Sequence, residues 1–402
     1  MLTSFLQSLP RLGRRWTPLN FTNPKFIQLS TSQAIEEETI PGYIAGRYYP
    51  TRIGEILKDR YQVIYKRIEG APQKHPGRKY VRSLLDSFDV SGPEDKHRCL
   101  VHSPLWESML DFLFRNPVQR LPTPILAVTL HRLFLALDYL HTECKIIHTD
   151  IKADNIMFGI ADDSVFSDFE NNDLQNPCPR KELDGRTIYT SRELRMPKNL
   201  GAPILCDFGS AVIGDEEHSE DIQPDIYRAP EVILQAPWSY SVDIWNVGCV
   251  DPEFQTYRSR AHLAEMIRLL GPPSPSFLAR GNLTQKFFSQ EGNSSTYPFP
   301  IYRKCQILTI SAILGDLCAG ELVGEHIPLE QRETSLEGEE KEMFLRLVRK
   351  MLQWEPEKRS SAMQLEQDEW WLFKGVTGGS QPSNIVTVPR TINANFPLLP
   401  QV

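Results

Sequence analysis

The chain has 402 residues, 41% hydrophobic and 24% charged, an ordinary globular composition with room for one large domain or two smaller ones. A formal net charge of -7 and a pI near 5.8 leave no overall basic footprint, so no direct nucleic-acid partner is expected. Seven cysteines without metal spacing or a dense disulfide pattern point to a reducing compartment. Asp316 and Glu321 interrupt the most apolar stretch, Ile307 to Val323, so no transmembrane segment is expected either.

Taken in chain order, residues 1–46 read as a leader. Its first part holds Arg11, Arg14, Arg15 and Lys25, several Ser and Thr, and no acidic residue before Glu36. Both a mitochondrial transit peptide and a disordered basic tail fit that composition, and Pro10, Pro18 and Pro24 would interrupt a long amphipathic helix. Residues 47–102 offer strands at Tyr61-Gln62-Val63-Ile64, Val81 to Val90 and Arg98 to Val101, the last two separated by the turn-forming Ser91-Gly92-Pro93.

From Pro124 the pattern turns helical. Leu126, Leu130, Leu133, Leu137 and Leu140 recur at three- and four-residue steps, the stripe of a core helix. Asp162 to Asn199 is polar and rich in Asp, Asn, Pro and Arg, and is expected to be a long insertion or loop, partly disordered. The rest of 103–375 is mainly helical by pattern, at Trp238 to Val250, Tyr257 to Leu270 and Glu339 to Trp354, and 376–402 reads as a weakly structured tail.

The chemistry concentrates in His148-Thr149-Asp150-Ile151-Lys152-Ala153-Asp154-Asn155, with Lys152 and Asn155 at +2 and +5 from Asp150. A carboxylate can accept the proton of an attacking hydroxyl, an ammonium can neutralise a transferring phosphoryl group, and an amide oxygen can hold a metal beside phosphates. Asp207-Phe208-Gly209 ends the apolar run Ile204-Leu205-Cys206; its hard carboxylate suits Mg²⁺ and Gly209 lets the chain turn away. Either motif alone is weak. The ordered set is specific, because it continues with Tyr227-Arg228-Ala229-Pro230-Glu231, Ser241-Val242-Asp243-Ile244-Trp245 and Glu355-Pro356-Glu357-Lys358-Arg359.

In this order the motifs resemble those of the eukaryotic protein kinases, over roughly Arg47 to Phe373. The resemblance implies an α+β, protein-kinase-like bilobal fold with a β-rich N-lobe over 47–102, a mainly helical C-lobe over 103–375, and the site in the cleft. It implies ATP and Mg²⁺ as cofactors, Asp150 as catalytic base, Lys152 as the phosphate-side cation, and Asn155 and Asp207 as metal ligands. It also pairs Glu231 with Arg359 and makes Asp243 a brace for the catalytic loop. At the expected hinge, Val101 to Leu105, the Ser103 carbonyl and the Leu105 N–H would face an adenine edge, while Pro104 loses nothing by lacking an N–H. His102 would stand at the gatekeeper position or serve as a buried structural histidine.

Ile147 to Lys152, the insertion before Asp207, and Glu220-Asp221-Ile222-Gln223 resemble the SR-protein kinases in particular, whose substrates are Arg/Ser-rich proteins. Asp215, Glu216, Glu217, Glu220, Asp221 and Asp225 lie between Gly214 and Arg228 with no Lys or Arg among them, a field that suits a basic protein substrate; a solvated acidic loop is the plainer alternative. Thr149 replaces the Arg that most kinases use to hold an activation-loop phosphate, so control through that loop is expected to be reduced. The resemblance places a monomer in the cytoplasm or nucleus; the leader would place it in the mitochondrion.

The chain departs from the family pattern in three places. Between Arg60 and Pro72 the only glycine is Gly70, and no Val-Ala-Ile-Lys-like strand precedes Arg98, so the N-lobe reads as truncated. Lys58 and Lys66 are the nearest replacements for the strand lysine, with Glu69 as partner, although all three are plainer as surface residues. The helix opened by Asp243 breaks at Asp251-Pro252-Glu253, and Arg303 to Gly324 is an apolar insertion without family counterpart. These departures suggest an alternative splice form or an error of gene assembly, and leave a catalytically impaired pseudokinase or docking scaffold as the alternative to an active serine/threonine kinase.

Overall fold

The computed structural model describes residues 21, 23–45, 48–49, 51–53, 55–57, 61–62, 75–92, 96–116, 121–161, 164–249, 259–288 and 327–376. Val63, Ile64, Lys58, Lys66, Glu69, the break after Asp243, the insertion 303–324 and the tail from 377 lie outside these residues. The strands are β1 (Ile56–Leu57), β2 (Tyr61–Gln62), β3 (Leu84–Ser91), β4 (Lys96–His102), β5 (Leu105–Ser108), β6 (Ile146–Ile147), β7 (Ile156–Ile160), β8 (Arg180–Leu183), β9 (Arg186–Tyr189), β10 (Leu200–Leu205) and β11 (Val212–Ile213). The helices are α1 (Met109–Arg115), α2 (Thr123–Asp138), α3 (Ser164–Gln175), α4 (Pro230–Ile233), α5 (Ser241–Gly248), α6 (Ser259–Leu270), α7 (Pro275–Leu278), α8 (Thr284–Phe287), α9 (Leu329–Arg332), α10 (Gly338–Met351), α11 (Ala362–Glu366) and α12 (Glu369–Phe373). The mixture is α+β, and it divides into two compact units.

The first unit joins 83–104 and 160–199 to the described residues before 70. Here β3 and β4 form an antiparallel hairpin in which Leu84 faces His102 and Ser91 faces Lys96. The strand expected from Val81 begins only at Leu84, because Val81 bridges Leu205 and belongs to the second unit.

Asp162 to Asn199, expected as a partly disordered loop, contains a helix and a hairpin. After α3, β8 pairs antiparallel with β9 through Asp184 and Gly185, which hold φ at +52° and +77°. Two left-handed residues in succession make the turn whose twist matches a tight hairpin, and Asp-Gly is its favoured pair. The described residues among 23–53 pack on this hairpin. Leu29 N–H donates to the Arg180 carbonyl at 2.9 Å, and Arg180 N–H to the Ile27 carbonyl at 3.1 Å. The Lys181 ammonium, 1% exposed, lies 2.7 Å from the Gln33 carbonyl and 2.5 Å from Glu38 Oε2. Burial alone would raise the Glu38 carboxyl, but the hydrogen bonds from Lys181 and the Ile35 N–H and the nearby ammonium charge hold it below its ordinary value.

In the second unit a sheet in the order β10-β7-β5 carries the segments that bear the motifs. A Cβ on Gly201 would come within 2.5 Å of the Gly159 backbone, so glycine at this crossing lets β7 and β10 approach closely. A second pairing, Val212 to Ile147 and Ile213 to Ile146, ties β11 to β6. His148 therefore follows one paired strand directly, and Gly209 to Ala211 precede the other.

α2 begins between Pro122 and Pro124, where missing N–H groups cost nothing. It is buried well beyond the leucine stripe, with Ala127, Phe134, Ala136 and Leu137 fully enclosed. Among the described residues Thr123–Cys144 is long and apolar enough to cross a membrane, but 67% of its apolar window is buried inside the protein, the mark of a core helix. The neighbouring core joins Ile147, Ala229, Trp238, Val242, Trp245, Phe277 and Trp354. Each large apolar side chain so enclosed stabilises the fold by roughly 1.5–3 kcal/mol.

The 3-10 turn Pro76–Tyr80 lies on α2, and His75 clamps it: its Nδ1 accepts from Gly77 N–H at 3.0 Å and its Nε2 lies 3.2 Å from Asp138 Oδ2. A Cβ on Gly77 would fall 1.7 Å from the Leu135 carbonyl oxygen. Gly77→Ala is expected to cost about 3 kcal/mol, at the upper end of overpacking penalties. Urea denaturation reads this directly, and a wild-type midpoint would show that the turn does not dock as described.

Candidate active site

The catalytic-loop segment is built around one buried carboxylate. Asp243, fully enclosed on α5, accepts from the His148 N–H through Oδ2 and from the Thr149 N–H through Oδ1, both at 2.8 Å. His141 Nε2 lies 2.9 Å from the same Oδ2. Thr149 needs this hold, because its φ of +65° is strained for a β-branched residue and costs about 1–3 kcal/mol. Its hydroxyl also donates to the Ser210 carbonyl at 2.8 Å, fastening the loop to the segment after Asp207-Phe208-Gly209.

His148 makes the second fastening. The Asp150 N–H donates to its Nδ1 at 3.3 Å, so the ring proton sits on Nε2, which donates to the Cys206 carbonyl at 2.9 Å. Its ring also meets Phe208 edge-on at 4.9 Å.

These contacts bring three of the predicted residues together. Asn155 Nδ2 donates to the Asp150 carbonyl at 2.9 Å and to Asp150 Oδ2 at 2.8 Å, and Lys152 Nζ lies 3.1 Å from that same Oδ2. Asn155 is buried, and the Cys206 N–H donates to its carbonyl at 2.8 Å. Asp207 follows at once, exposed, with φ of +60° and Oδ1 accepting from the Gly209 N–H at 3.2 Å. Ser103 lies just past β4 in the first unit and Leu105 opens β5 in the second. His102 is half-buried, its Nδ1 3.0 Å from the Ser83 carbonyl.

The pair implied between Glu231 and Arg359 is present. Both side chains are fully buried and meet through two bonds, Nη1 to Oε1 at 2.5 Å and Nη2 to Oε2 at 2.7 Å, with the guanidinium 4.9 Å from the Trp245 ring centre. Satisfying both charges in this way is what makes their burial tolerable.

The acidic stretch is more neutralised than its composition implies. Arg228 folds back onto Asp221 at 3.3 Å and Asp225 at 3.2 Å, His218 Nδ1 meets Glu220 at 2.8 Å, and the Tyr240 hydroxyl donates to Asp215 at 2.8 Å. Glu216 and Glu217 stay exposed. Asp150, Ser210, Asp221 and Arg228 face an open cleft of about 420 Å³.

Gln223, which the sequence offers only as the end of the Glu220–Gln223 run and without a role, stands in this cleft with φ of +69°. Its Oε1 accepts from the Ala229 N–H at 2.7 Å, while Nε2 donates to the Val242 carbonyl and to Asn246 Oδ1, each at 2.9 Å. One neutral side chain thus ties the acidic loop to α5. Residue type alone does not show that its side chain would bridge to α5.

The motif-bearing segments are those of a protein kinase domain. The chain matches the protein kinase domain over residues 78–371 and belongs to that family. It is 33% identical to a serine/threonine protein kinase of Aspergillus fumigatus, over 92% of this chain and 98% of that one. It is 28% identical to the serine/threonine-protein kinase SRPK of Physarum polycephalum, over 64% and 78% of the two chains, and 32% identical to the human dual specificity protein kinase CLK2, over 73% and 51%. A kinase-domain crystal structure shares the fold, with a TM-score of 0.50, 22% identity, and coverage of 74% of this chain and 79% of that chain. Within its family, then, the chain is an SR-kinase-like serine/threonine kinase.

His218 gives a pH-dependent test of the acidic loop. Burial would lower its pKa from the ordinary 6.5, but the bond to the Ile213 carbonyl and the Glu220 carboxylate outweigh it and raise the group. Its contribution to stability is therefore complete below about 6.5 and lost as pH rises through the higher folded value. The Tm deficit of His218→Gln should be larger at pH 6 than at pH 8.5; an equal deficit would mean that the ring is held neutral.

Proposed function

We propose that this chain transfers the γ-phosphoryl group of ATP to serine or threonine of protein substrates rich in arginine and serine. The observation that carries the reading is the Asp150 carboxylate, held through Oδ2 by Lys152 and Asn155 beside an open cleft with an acidic rim. Both contacts use Oδ2, so Oδ1 is the oxygen that receives the proton of the substrate hydroxyl. As that proton moves to Asp150, the hydroxyl oxygen bonds to the γ-phosphorus, the bridging P–O bond breaks and ADP leaves. Lys152 then offsets the negative charge on the phosphoryl oxygens.

Asn155 and Asp207 would hold Mg²⁺. Their donors fit a hard cation: Asn155 spends its amide N–H groups on Asp150 and leaves Oδ1 to the metal side, and Asp207 presents an exposed carboxylate. Bound there, Mg²⁺ would neutralise phosphate charge. Ser103 and Leu105 are the proposed adenine contacts. Glu216 and Glu217, exposed on the acidic loop, favour a substrate rich in arginine.

The test is phosphorylation of an Arg-Ser repeat peptide with Mg·ATP. Asp150→Ala is expected to lower turnover by about 10²–10⁴-fold without moving Tm, and Glu216→Lys with Glu217→Lys to raise KM more for this peptide than for a neutral serine peptide. If the wild-type chain shows neither turnover nor a nucleotide-dependent thermal shift, the reading gives way to a docking scaffold that has lost its chemistry.

A further inference from the structure

In the first unit, one serine sits where its modification would act on the fold. Ser191 follows β9 in the stretch 190–197, which has no regular secondary structure, and its side chain is exposed. Its N–H donates to Glu36 Oε1 and its hydroxyl to Glu36 Oε2, each at 2.8 Å. Both donors of one residue thus hold both oxygens of a carboxylate 155 residues earlier in the chain.

This contact closes one end of the seat of the N-terminal segment on the β8–β9 hairpin. Glu36 opens the 3-10 turn Glu36–Thr39 with φ of +49°, a left-handed backbone that a residue with a side chain adopts at a cost. Two residues on, Glu38 meets the buried Lys181 at 2.5 Å. The turn is therefore fixed by two carboxylates, one on an enclosed ammonium and one on a serine hydroxyl open to solvent. Only the second contact can be reversed by surface chemistry. A phosphate on Ser191 would remove the hydroxyl donor and set about two negative charges against the Glu36 carboxylate. Arg192, the adjoining cation, is already engaged by Asp173 at 3.1 Å and by the Asn176 carbonyl at 2.6 Å.

We propose that Ser191 is a phosphorylation site, modified by a second copy of this chain, and that the phosphate unseats the turn Glu36–Thr39 from the β8–β9 hairpin. The inference rests on the kinase reading above, because Ser191-Arg192 has the composition of the substrates proposed there. Serine is followed by arginine at two places in the sequence, Ser191-Arg192 and Ser259-Arg260. Ser259 is half-buried at the start of α6, whereas Ser191 is exposed on irregular chain that an active site can grasp. In the transfer the Ser191 oxygen bonds to the γ-phosphorus of ATP and the bridging P–O bond breaks. The hydroxyl proton passes to Asp150 of the second copy, and ADP leaves.

Two measurements on the full chain test this. In the first, the Asp150→Ala chain is incubated with wild-type chain and Mg·ATP and mapped by mass spectrometry, with an Arg-Ser repeat peptide as a parallel substrate. Phosphate is expected on Ser191 of the Asp150→Ala chain, and none when that chain is incubated alone. In the second, amide hydrogen exchange is followed over residues 27–40. Phosphorylation should speed it by about 10–100-fold, the worth of the charge-assisted bonds lost at Glu36, while exchange in the β3–β4 hairpin stays unchanged. Ser191→Ala should abolish the response to ATP, and Glu36→Gln should keep the segment seated even when Ser191 carries phosphate. A phosphorylated repeat peptide with Ser191 unmodified overturns the proposal and leaves the kinase reading standing, as does phosphate on Ser191 without faster exchange. Failure to phosphorylate either one overturns the kinase reading itself, and this inference with it.

Discussion

A carboxylate with no access to water, Asp243, sets the shape of the catalytic loop. Its two oxygens receive consecutive backbone N–H groups, which forces the chain at His148 and Thr149 into a conformation that a β-branched residue resists. The groups proposed to carry the chemistry are placed relative to that bend. His148 reaches Cys206, Thr149 reaches Ser210, and Asp150 emerges where Asn155 and Lys152 can hold it. The same helix anchors Gln223 through Val242 and Asn246, so α5 fixes both the catalytic loop and the wall of the cleft beside it.

The acidic loop is held by contacts from within the chain. Where a phosphate gripped by arginine would be an external clamp, Gln223 supplies an internal one that needs no modification. Arg228 serves the same end by neutralising Asp221 and Asp225 from within. The loop therefore keeps its acid character chiefly at Asp215, Glu216 and Glu217, a narrower field than six carboxylates would make.

Much of the site is legible in the sequence because its spacing is local. Asp150, Lys152 and Asn155 fall within six residues, and a 3-10 turn at Ala153–Asn155 is enough to fold them onto one another. Asp207 joins them because β10 is driven into the sheet by its own apolar alternation and by the close approach at Gly201. What cannot be read locally depends on partners far along the chain. Charge counting over 215–225 does not see Arg228 turn inward, and the leucine stripe of α2 does not show that His131, on another face, is buried as well. The hairpin at Asp184-Gly185 did carry its turn signal, but a polar segment is unlike a strand until its covering segment is known, and that segment lies near the N-terminus.

The packing of residues 23–53 on the β8–β9 hairpin has a consequence for synthesis. The bond from Lys181 to Gln33 spans 148 residues, so the early segment emerges from the ribosome long before its seat exists. At roughly 5–20 residues per second, it waits on the order of ten seconds or more with Ile27, Ile40 and Ile44 uncovered, and those three remain largely exposed even in the finished fold. For that interval its apolar side chains are open to any chaperone that binds exposed apolar chain. How long the segment stays without its seat is thus set by the translation of residue 181.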